Sequence, residues 1–396
     1  MRDIYEPASE QEACDMIRAS RDARRSLEIR GGGTRSGLGR PVEAGAVIST
    51  RRLAGITLYE PAELVVSARA GTPLAVVEAT LAEKGQMLPF EPADYRALYG
   101  SRGEPTIGAV AACNLSGPRR VQVGAARDHF IGVRLVNGLG EAVKSGGRVM
   151  KNVTGLDLVK LSCGAHGTLG LLTEVTFKLL PIQPAEASLA IDGLEDAQAV
   201  AAMSAALGSP FEISAAAHFP PGVHGASALT LLRLERSHES LAYRLGKLEP
   251  LVSAFGSCRR IEAEESRALW REVATVAPFC KAHAPALWRL SLPPGKSAGT
   301  MAEISAALGA RYFYDWGGGL VWLAVLPCED AGSTIVRRAV AHAGGHALLV
   351  RAADDLRASL DVFQPPGAAL MKITAGVKAS FDPDGILNPG RMYAGV

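Results

Sequence analysis

A glycine-rich run at residues 30–39 constrains the fold more than any other stretch of this sequence. It reads Arg-Gly-Gly-Gly-Thr-Arg-Ser-Gly-Leu-Gly and follows a short strand-like segment at 27–29. Glycine lets successive backbone N–H groups converge on one point, and it lets an anion approach without a Cβ in the way. Thr34 and Ser36 add hydroxyl donors and Arg35 adds a fixed positive charge, so the loop suits a pyrophosphate.

The residues after this loop separate it from two common nucleotide-binding loops. It lacks the Gly-Lys-Ser/Thr ending of a Walker A loop. A Rossmann loop needs a helix that begins at its last glycine, whereas residues 38–45 show no helical period and lead into a strand-like segment at 46–49. A flexible surface turn remains the alternative at this point, because a glycine run alone is a weak sign of a ligand site.

Length and charge exclude several classes of protein. A chain of 396 residues, 48% hydrophobic and 21% charged, is typical of a globular protein with roughly two or three domains. The net charge is +2 and the basic residues are scattered, so we expect no nucleic-acid partner.

Cysteine spacing and hydropathy narrow the classes further. The six cysteines lie far apart without a C-x-x-C pair, which argues against zinc ribbons and iron–sulfur clusters and favours free thiols in a reducing compartment. No apolar signal region or stretch of about 18 apolar residues occurs. We therefore expect a cytoplasmic protein with no direct membrane insertion, and leave open an association with a membrane through a complex.

Local signals divide residues 1–181 into short strands and helices. Ser9 and Glu12 form a capping box that predicts a helix up to about residue 20. Thr72 as N-cap and Pro73 in the first turn predict a second helix. The remaining signals predict a hairpin of strands at 130–136 and 142–144, and a strand with one solvated face at 174–179.

Composition changes near residue 182. The region 182–366 is alanine-rich and alternates strands with helices, which predicts an antiparallel sheet covered by helices. Its predicted strands lie at 188–191, 211–216, 228–234, 258–261, 286–292, 310–315 and 320–326, and its predicted helices at 195–207, 241–255 and 299–308. In the last region, 367–396, a helix at 367–381 leads into a turn-rich tail.

Five motifs in a fixed order carry a family resemblance. They are the Arg-Gly-Gly-Gly-Thr loop, Pro-Thr-Ile-Gly-Ala at 105–109, Asn-Val-Thr-Gly-Leu-Asp-Leu-Val-Lys-Leu at 152–161, Gly-Ala-His-Gly-Thr-Leu-Gly at 164–170 and Asp-Pro-Asp-Gly-Ile-Leu-Asn-Pro-Gly-Arg at 382–391. Together they resemble the vanillyl-alcohol-oxidase (PCMH-type) FAD-binding family. Within it, the overall length and the Asp-Trp-Gly-Gly-Gly turn at 315–319 are similar to the smaller FAD-binding subunits of three-subunit bacterial glycolate oxidases.

The resemblance implies an α+β fold with three parts. Residues 1–181 would form a PCMH-type FAD-binding domain of two subdomains. Residues 182–366 would form an α+β cap domain with an antiparallel sheet, serving substrate or interface roles. The C-terminal helix and tail, 367–396, would return to the FAD-binding domain.

The resemblance also implies where FAD binds, with its pyrophosphate on the glycine loop. The implied cofactor-binding residues are Arg30, Gly31, Gly32, Gly33, Thr34, Arg35, Ser36, Pro89, Thr106, Ile107, Gly108, Ala112, Asn114, Gly155, Asp157, Leu169, Gly170, Thr173, Glu174 and Asn388. We expect Asp in place of Gly32 or Gly33 to abolish FAD binding and leave much of the fold intact, because a carboxylate there would repel the pyrophosphate.

Two positions depart from the family pattern. Many relatives place a flavin-linking His directly after the Gly-Gly pair, but this chain has Thr34 there, so we expect noncovalent FAD. Relatives that oxidise D-2-hydroxy acids carry a histidine-rich metal cluster, for which the nearest counterpart is His342 and His346. Two glycines between them argue against a shared helix face, so we expect solvated turn histidines and no metal site.

The function implied by the resemblance is that of an FAD-binding subunit of glycolate oxidase. It would oxidise glycolate to glyoxylate with a larger FAD-binding subunit and an iron–sulfur subunit as partners. Two alternatives stay open: a stand-alone FAD-dependent oxidoreductase for another hydroxy acid or alcohol, and a non-catalytic flavin adaptor. Trp316, His346 and Arg351 are the candidate catalytic residues, although a packed Trp, a turn His and a surface Arg explain them equally well.

The region 182–366 offers no evident carboxylate-binding cluster, so we predict that its exposed surface docks another subunit. Its available anchors are Trp270, Phe279, Trp288 and Trp316, since aromatic side chains dominate stable interfaces. A solvated cap that only shields the flavin is the alternative.

Overall fold

The N-terminal part of the chain forms three small sheets surrounded by short helices. The structure is a computed structural model that describes residues 2–147, 156–280 and 286–396. The strands are β1 (Asp3–Tyr5), β2 (Leu27–Arg30), β3 (Ala46–Ser49), β4 (Ile56–Glu60), β5 (Val65–Arg69), β6 (Gln86–Met87), β7 (Phe130–Val136), β8 (Ala142–Gly146), β9 (Leu171–Lys178) and β10 (Leu180–Pro181). The helices are α1 (Glu10–Asp22), α2 (Leu74–Ala82), α3 (Arg96–Tyr99), α4 (Ile107–Cys113), α5 (Arg120–Val123), α6 (Ala126–His129) and α7 (Leu158–Ser162).

Two of these sheets divide the N-terminal part into two layers. Strands β1, β3 and β2 form a parallel sheet in that order, and Ile17 of α1 packs with Leu27 and Ile48 against it. Strands β4-β5-β9-β7-β8 form an antiparallel sheet, with Val175 and Phe177 of β9 facing its core. Strands β10 and β6 pair as a separate ribbon.

The start of α2 differs by one residue from the prediction. Pro73 is the N-cap and the helix begins at Leu74. The hydroxyl of Thr72 does not cap it, because it donates to the carbonyl of Arg69 at 2.6 Å and accepts from the N–H of Gly55 at 2.9 Å. Thr72 therefore closes the turn before the helix.

The C-terminal part is built around one large antiparallel sheet, in the order β14-β11-β13-β12-β16-β17-β15-β18. Its strands are β11 (Ala185–Asp192), β12 (Ala215–Phe219), β13 (Leu229–Arg236), β14 (Cys258–Ile261), β15 (Ala286–Ser291), β16 (Arg311–Asp315), β17 (Leu320–Val325) and β18 (His346–Arg351). The helices are α8 (Asp196–Leu207), α9 (His238–Val252), α10 (Ala263–Thr275), α11 (Pro294–Leu308), α12 (Ser333–Ala343), α13 (Asp354–Ser359) and α14 (Ala368–Phe381). Across the described residues, no helix combines the length and apolar character needed to cross a membrane.

Both faces of this large sheet are buried, because successive side chains of a strand point to opposite faces. Leu232 and Leu323 lie on the outer face, in a core shared with α8, α9, α11 and α12. Leu231 and Trp322 lie on the inner face, in a core that continues into the N-terminal part. The two parts of the chain therefore share a continuous hydrophobic interior.

Three of the four residues predicted to anchor a subunit interface are buried inside the chain, so the prediction is wrong for them. Trp270, Phe279 and Trp288 are 3%, 4% and 0% exposed. The indole N–H of Trp270 donates to the Ser188 hydroxyl at 2.9 Å, and that of Trp288 donates to the carbonyl of Ala331 at 2.8 Å. All three rings are buried, and both indole N–H groups have hydrogen-bond partners inside the chain. These residues therefore stabilise the fold and do not face another subunit.

Charged side chains join the large sheet to the N-terminal part. Arg233 of β13 donates two hydrogen bonds to the carboxylate of Glu91, at 2.9 and 2.8 Å. Arg119 forms an ion pair of 2.6 Å with Glu235. Each of these arginines is almost fully buried and has a carboxylate partner, as buried charges require.

The C-terminal tail closes onto the parallel sheet. Lys378 of α14 donates to the carbonyls of Thr168 and Leu387, both at 2.8 Å, and to Asp382 at 2.6 Å. Leu387 also bridges to Leu27 of β2. These contacts hold the tail beside the glycine loop.

Candidate functional site

The glycine loop leaves the parallel sheet at the end of β2 and lies flat against residues 103–106. A Cβ on Gly32 would overlap the carbonyl oxygen of Glu104, and a Cβ on Gly31 would overlap the hydroxyl of Thr106. Gly33 has a φ of +78° and open space where its Cβ would lie. The first two glycines are therefore needed for backbone packing, and the third leaves room above the loop.

An open cleft lies above this loop. Small residues of α4 form its opposite wall, and a Cβ on Gly108 would approach the carbonyl of Ala70 at 2.6 Å. The lining residues are Ile29, Arg30, Gly31, Gly32, Gly33, Thr34, Arg35, Ser36, Leu38, Thr50, Ala70, Gly108, Ala109, Ala112, Cys113, His166, Gly167, Gly170, Leu172, Asn388 and Arg391.

Arg35 gives the cleft a buried positive charge, and no carboxylate of the described residues lies within 4.0 Å of it. The side chain is 8% exposed, and its Nη2 donates to the carbonyl of Ala93 at 3.0 Å. Among the residues that the structure describes, its Nε and Nη1 have no hydrogen-bond partner. Unpaired buried donors on a guanidinium are costly, and a phosphate would satisfy them with charge-assisted hydrogen bonds. The donor set therefore fits the pyrophosphate of a dinucleotide.

The C-terminal tail contributes one wall of the cleft. The Asn388 side chain accepts from the N–H of Ile29 at 2.8 Å and donates to the carbonyl of His166 at 2.8 Å. A Cβ on Gly167 would approach the Asn388 amide nitrogen at 2.7 Å, so glycine is required at that turn. Asn388 therefore fixes the His166 turn against β2.

Burial controls the protonation of the titratable groups in the cleft. It lowers the pKa of His166 to about 3, and the nearby Arg391 guanidinium adds to this effect, so the imidazole is neutral. It also raises the pKa of the Cys113 thiol, which keeps that group protonated. The cleft thus offers no anion of its own at these two positions.

The structure brings together most of the loop residues predicted to hold the cofactor. Arg30, Gly31, Gly32, Gly33, Thr34, Arg35, Ser36, Gly108, Ala112, Gly170 and Asn388 line the cleft, and Leu169 lines a small adjoining cavity. Pro89, Thr106, Ile107, Asn114, Asp157, Thr173 and Glu174 lie away from its lining. Gly155 lies outside the described residues.

Local hydrogen bonds explain why several of these polar side chains do not face the cleft. Thr106 caps α4, and Asp157 caps α7 by accepting from the N–H of Lys160 at 3.0 Å. The Thr173 hydroxyl donates to Glu10 at 2.6 Å. Asn114 accepts from the N–H of Arg127 at 3.0 Å. Each of these polar groups is therefore already bonded within the protein.

Three further lining residues, Ala109, Cys113 and Leu172, belong to the segments 106–114 and 169–174 that the family resemblance implies beside FAD. Sequence reasoning did not identify the remaining lining residues, which are Ile29, Leu38, Thr50, Ala70, His166, Gly167 and Arg391. Leu38, His166, Gly167 and Arg391 belong to quoted motifs, so position within those motifs was the available signal. Ile29, Thr50 and Ala70 have no such signal, because only the folded chain brings them to the cleft.

The three candidate catalytic residues have different surroundings in the structure. Arg351 donates to the carbonyls of Leu98 and Phe279, at 2.9 and 2.8 Å, and so joins the two parts of the chain. Trp316 is half-buried and donates from its indole nitrogen to the carbonyl of Gly117 at 3.1 Å.

The histidine pair lies at the turn between α12 and β18. His342 is in the last turn of α12, His346 is the exposed first residue of β18, and Gly344 between them has a φ of +79°. The pair therefore does not share a helix face. Partial desolvation of its imidazole, together with the charges of Arg289 and Arg120, lowers the pKa of His346.

Comparison with known proteins finds similarity over the whole chain. A family model described as an FAD binding domain matches residues 3–146. The sequence is 35% identical over 369 residues to the glycolate oxidase subunit GlcE of Escherichia coli (strain K12), covering 93% of each chain. It is 28% identical over 179 residues to the glycolate oxidase subunit GlcD of Bacillus subtilis (strain 168), covering 45% of this chain and 37% of that protein. The 4-ethylphenol oxidase from Gulosibacter chungangensis has a similar fold, with a TM-score of 0.72 at 15% identity over 99% of this chain and 89% of that one.

Proposed function

We propose that this chain, which belongs to the FAD-binding family that includes the glycolate oxidase subunit GlcE of Escherichia coli, is the FAD-binding subunit of a glycolate oxidase. Its cofactor is FAD and its fold is the α+β fold of PCMH-type FAD-binding proteins, as the sequence predicted. The proposed reaction oxidises glycolate, a 2-hydroxy acid, to glyoxylate. The observation that carries the proposal is the glycine-lined cleft with the unpaired guanidinium of Arg35.

The residues of the cleft suggest how FAD would be held. The loop at 31–36 and the Arg35 guanidinium would take the pyrophosphate, since both offer donors and no negative charge. Gly108 and Ala112 would leave space for flat rings beside α4. When bound, FAD supplies an acceptor for the hydride that leaves the carbon bearing the hydroxyl group.

We infer that the flavin is bound without a covalent link. Thr34, at the place of the linking histidine in many relatives, carries no nucleophilic nitrogen. Cys113 also lines the cleft, but burial raises the pKa of its thiol and so disfavours the nucleophilic thiolate.

We also propose that this chain works in a complex with a larger FAD-binding subunit and an iron–sulfur subunit. The names of GlcE and GlcD as subunits of glycolate oxidase support a multi-subunit assembly. In that assembly, electrons taken up at this flavin would pass to a partner subunit, and the oxidation would act on the CH–OH group of a 2-hydroxy acid.

Anaerobic addition of glycolate to the purified FAD-loaded chain tests this function. Loss of the yellow flavin absorbance in the isolated chain would support a substrate site in this subunit. Loss only after assembly with the other subunits would favour the adaptor role. Bleaching by another hydroxy acid or alcohol, with glycolate inactive in the chain and in the complex, would support a stand-alone oxidoreductase and contradict the proposal.

A further inference from the structure

Trp316 lies where the large sheet meets the loop after α4, and two arginines meet at its indole ring. The Arg120 Cζ lies 4.4 Å from the ring centroid, and the Arg289 Cζ lies 5.0 Å from it. Arg120 belongs to α5 in the N-terminal part, and Arg289 belongs to β15 of the large sheet. The indole ring contacts both guanidinium groups, and it is held in place because its N–H donates to the carbonyl of Gly117 at 3.1 Å.

Neither of these two guanidinium groups has a carboxylate partner within 4.0 Å in the described part of the chain. Neighbouring arginines differ, since Arg119 pairs with Glu235 and Arg233 pairs with Glu91. Two like charges over one ring repel each other, and cation–π contact offsets only about 0.5–2 kcal/mol each. An anion that contacts both guanidinium groups would offset this repulsion.

The groups that surround the arginine pair leave it positive. Two acidic residues lie near the pair. The carboxylate of Asp315 already accepts from the N–H of Trp316 at 2.7 Å, and burial raises its pKa to about 7. The carboxylate of Asp128, whose charge acts on Arg120, accepts from the N–H of Ala125 at 2.7 Å. His346 lies opposite Ser291 in the β15–β18 pair, and partial desolvation of its imidazole, together with the charges of Arg289 and Arg120, lowers its pKa and favours the neutral form.

Two buried aromatic side chains, Tyr95 and Trp322, connect the arginine pair to the cofactor cleft. Tyr95 packs edge-on against Trp322 with ring centroids 6.1 Å apart, and Trp322 lies opposite Arg289 in the β15–β17 pair. The Arg35 Cζ lies 6.0 Å from the Tyr95 ring centroid, and Arg35 and Cys113 both line the cleft. An anion held by the pair would therefore lie close to the end of the cleft beside α4.

We propose that Arg120 and Arg289 form a binding site for the carboxylate of a small 2-hydroxy acid, with Trp316 as the platform that holds both guanidinium groups. This assignment rests on the proposed function, because it names the residues that recognise the acid group of that substrate. Arginine suits this role since its planar donors match a carboxylate. The site is assembled from both parts of the chain, so it exists only when the large sheet is docked.

Calorimetric titration of the FAD-loaded chain with oxalate, a small carboxylate that has no hydroxyl carbon to oxidise, tests this site. We expect Arg120→Met and Arg289→Met each to weaken oxalate binding by about 10- to 100-fold, the value of one or more hydrogen bonds between charged groups. Arg289→Lys keeps the charge and is expected to retain part of the affinity. The matched control is Arg338→Met, because Arg338 is exposed and reaches Glu303 only at 4.0 Å.

Two results would overturn the assignment. One is oxalate affinity in both Met variants within twofold of the unchanged chain, and the other is no oxalate binding by the unchanged chain. FAD content and far-ultraviolet circular dichroism of each variant show whether it is folded and loaded.

The proposed arginine site and the proposed glycolate oxidase function can be disproved independently. If glycolate bleaches the flavin of both Met variants with an unchanged KM, the arginine site is wrong and the function stands. If oxalate binds through the arginines but glycolate bleaches neither chain nor complex, the function is wrong and the anion site stands.

Discussion

At the scale of single residues, adjacent glycines of the loop have different structural roles. Gly32 has no room for a side chain, because a Cβ would overlap the backbone of Glu104. Gly32→Asp would therefore displace the neighbouring backbone as well as add a charge, so it does not isolate the effect of the carboxylate on FAD binding. Gly33 has open space around its Cβ position, so a substitution there changes the charge of the cleft without displacing the neighbouring backbone.

We predict that Gly33→Asp abolishes FAD binding, whereas Gly33→Asn retains most of it. Both side chains have nearly the same shape and bear the same strain of a positive φ, which Asn and Asp tolerate better than most residues. Only Asp adds a negative charge beside the pyrophosphate, which costs on the order of 4 kcal/mol at a separation of about 4 Å. The ratio of FAD to protein after purification measures this, and equal FAD content in both variants would refute the placement of the pyrophosphate.

A second prediction at this scale concerns the link to the flavin. Thr34 cannot form the histidyl bond, and the Cys113 thiol is protonated, so acid precipitation should release all of the flavin as FAD. The supernatant is analysed by chromatography against FAD and FMN standards. Yellow colour that stays with the pellet would show a covalent link, and a Cys113→Ala variant would then show whether this thiol forms it.

At the scale of elements, α14 holds the C-terminal tail through one buried lysine. We predict that Lys378→Met lowers the free energy of unfolding by about 3 kcal/mol, because it leaves Asp382 as a buried charge without its partner. The exposed Lys372 of the same helix provides the control, since Lys372→Met should change stability by less than about 0.5 kcal/mol. Urea unfolding measures both, and equal effects would show that the tail does not depend on this ion pair.

Elements with local signals could be predicted from the sequence, and elements defined by distant contacts could not. The capping residue of α1 was identified, and Ser9 accepts from the N–H of Glu12 at 3.1 Å. The strand at 258–261 matches β14. The strand predicted at 211–216 lies instead at Ala215–Phe219, because pairing with β13 and β16 sets its position. Helix α10 was missed, although its Leu269 and Trp270 pack against the large sheet.

The candidate site follows the same division. The glycine loop was recognisable because its glycines and hydroxyls are contiguous, and Asn388 because it belongs to a terminal motif. The arginine pair could not be recognised from the sequence, since Arg120 and Arg289 are 169 positions apart and both contact Trp316 only in the folded chain. Trp316 was a candidate catalytic residue, and the structure places it as the support for these two charges.

At the scale of the whole molecule, the inner face of the large sheet depends on the N-terminal part for its burial. We predict that residues 182–366 expressed alone do not form a stable fold, because Phe219, Leu231 and Trp322 would be exposed to water. Binding of a hydrophobic dye and loss of cooperative thermal unfolding would show this. A soluble monomeric fragment that unfolds cooperatively would contradict it.

The docking of another subunit on the exposed surface of residues 182–366 remains a prediction. Trp270, Phe279 and Trp288 are no longer among its proposed anchors. Since the isolated region is not expected to fold, capture of the larger FAD-binding subunit has to be tested with the intact chain. Substitutions on the outer surface of the large-sheet region should then weaken capture, and substitutions confined to the N-terminal part should not. The opposite pattern would place the interface on the FAD-binding region.

The most direct measurement is glycolate oxidation by the assembled complex when this chain carries Gly33→Asp. We expect the variant complex to purify with its other subunits, to lack the FAD of this chain and to lose glycolate oxidation, because electrons could no longer enter or pass through this flavin. Glycolate oxidation at the rate of the unchanged complex, with this FAD absent, would show that the flavin in this cleft does not take part in the reaction.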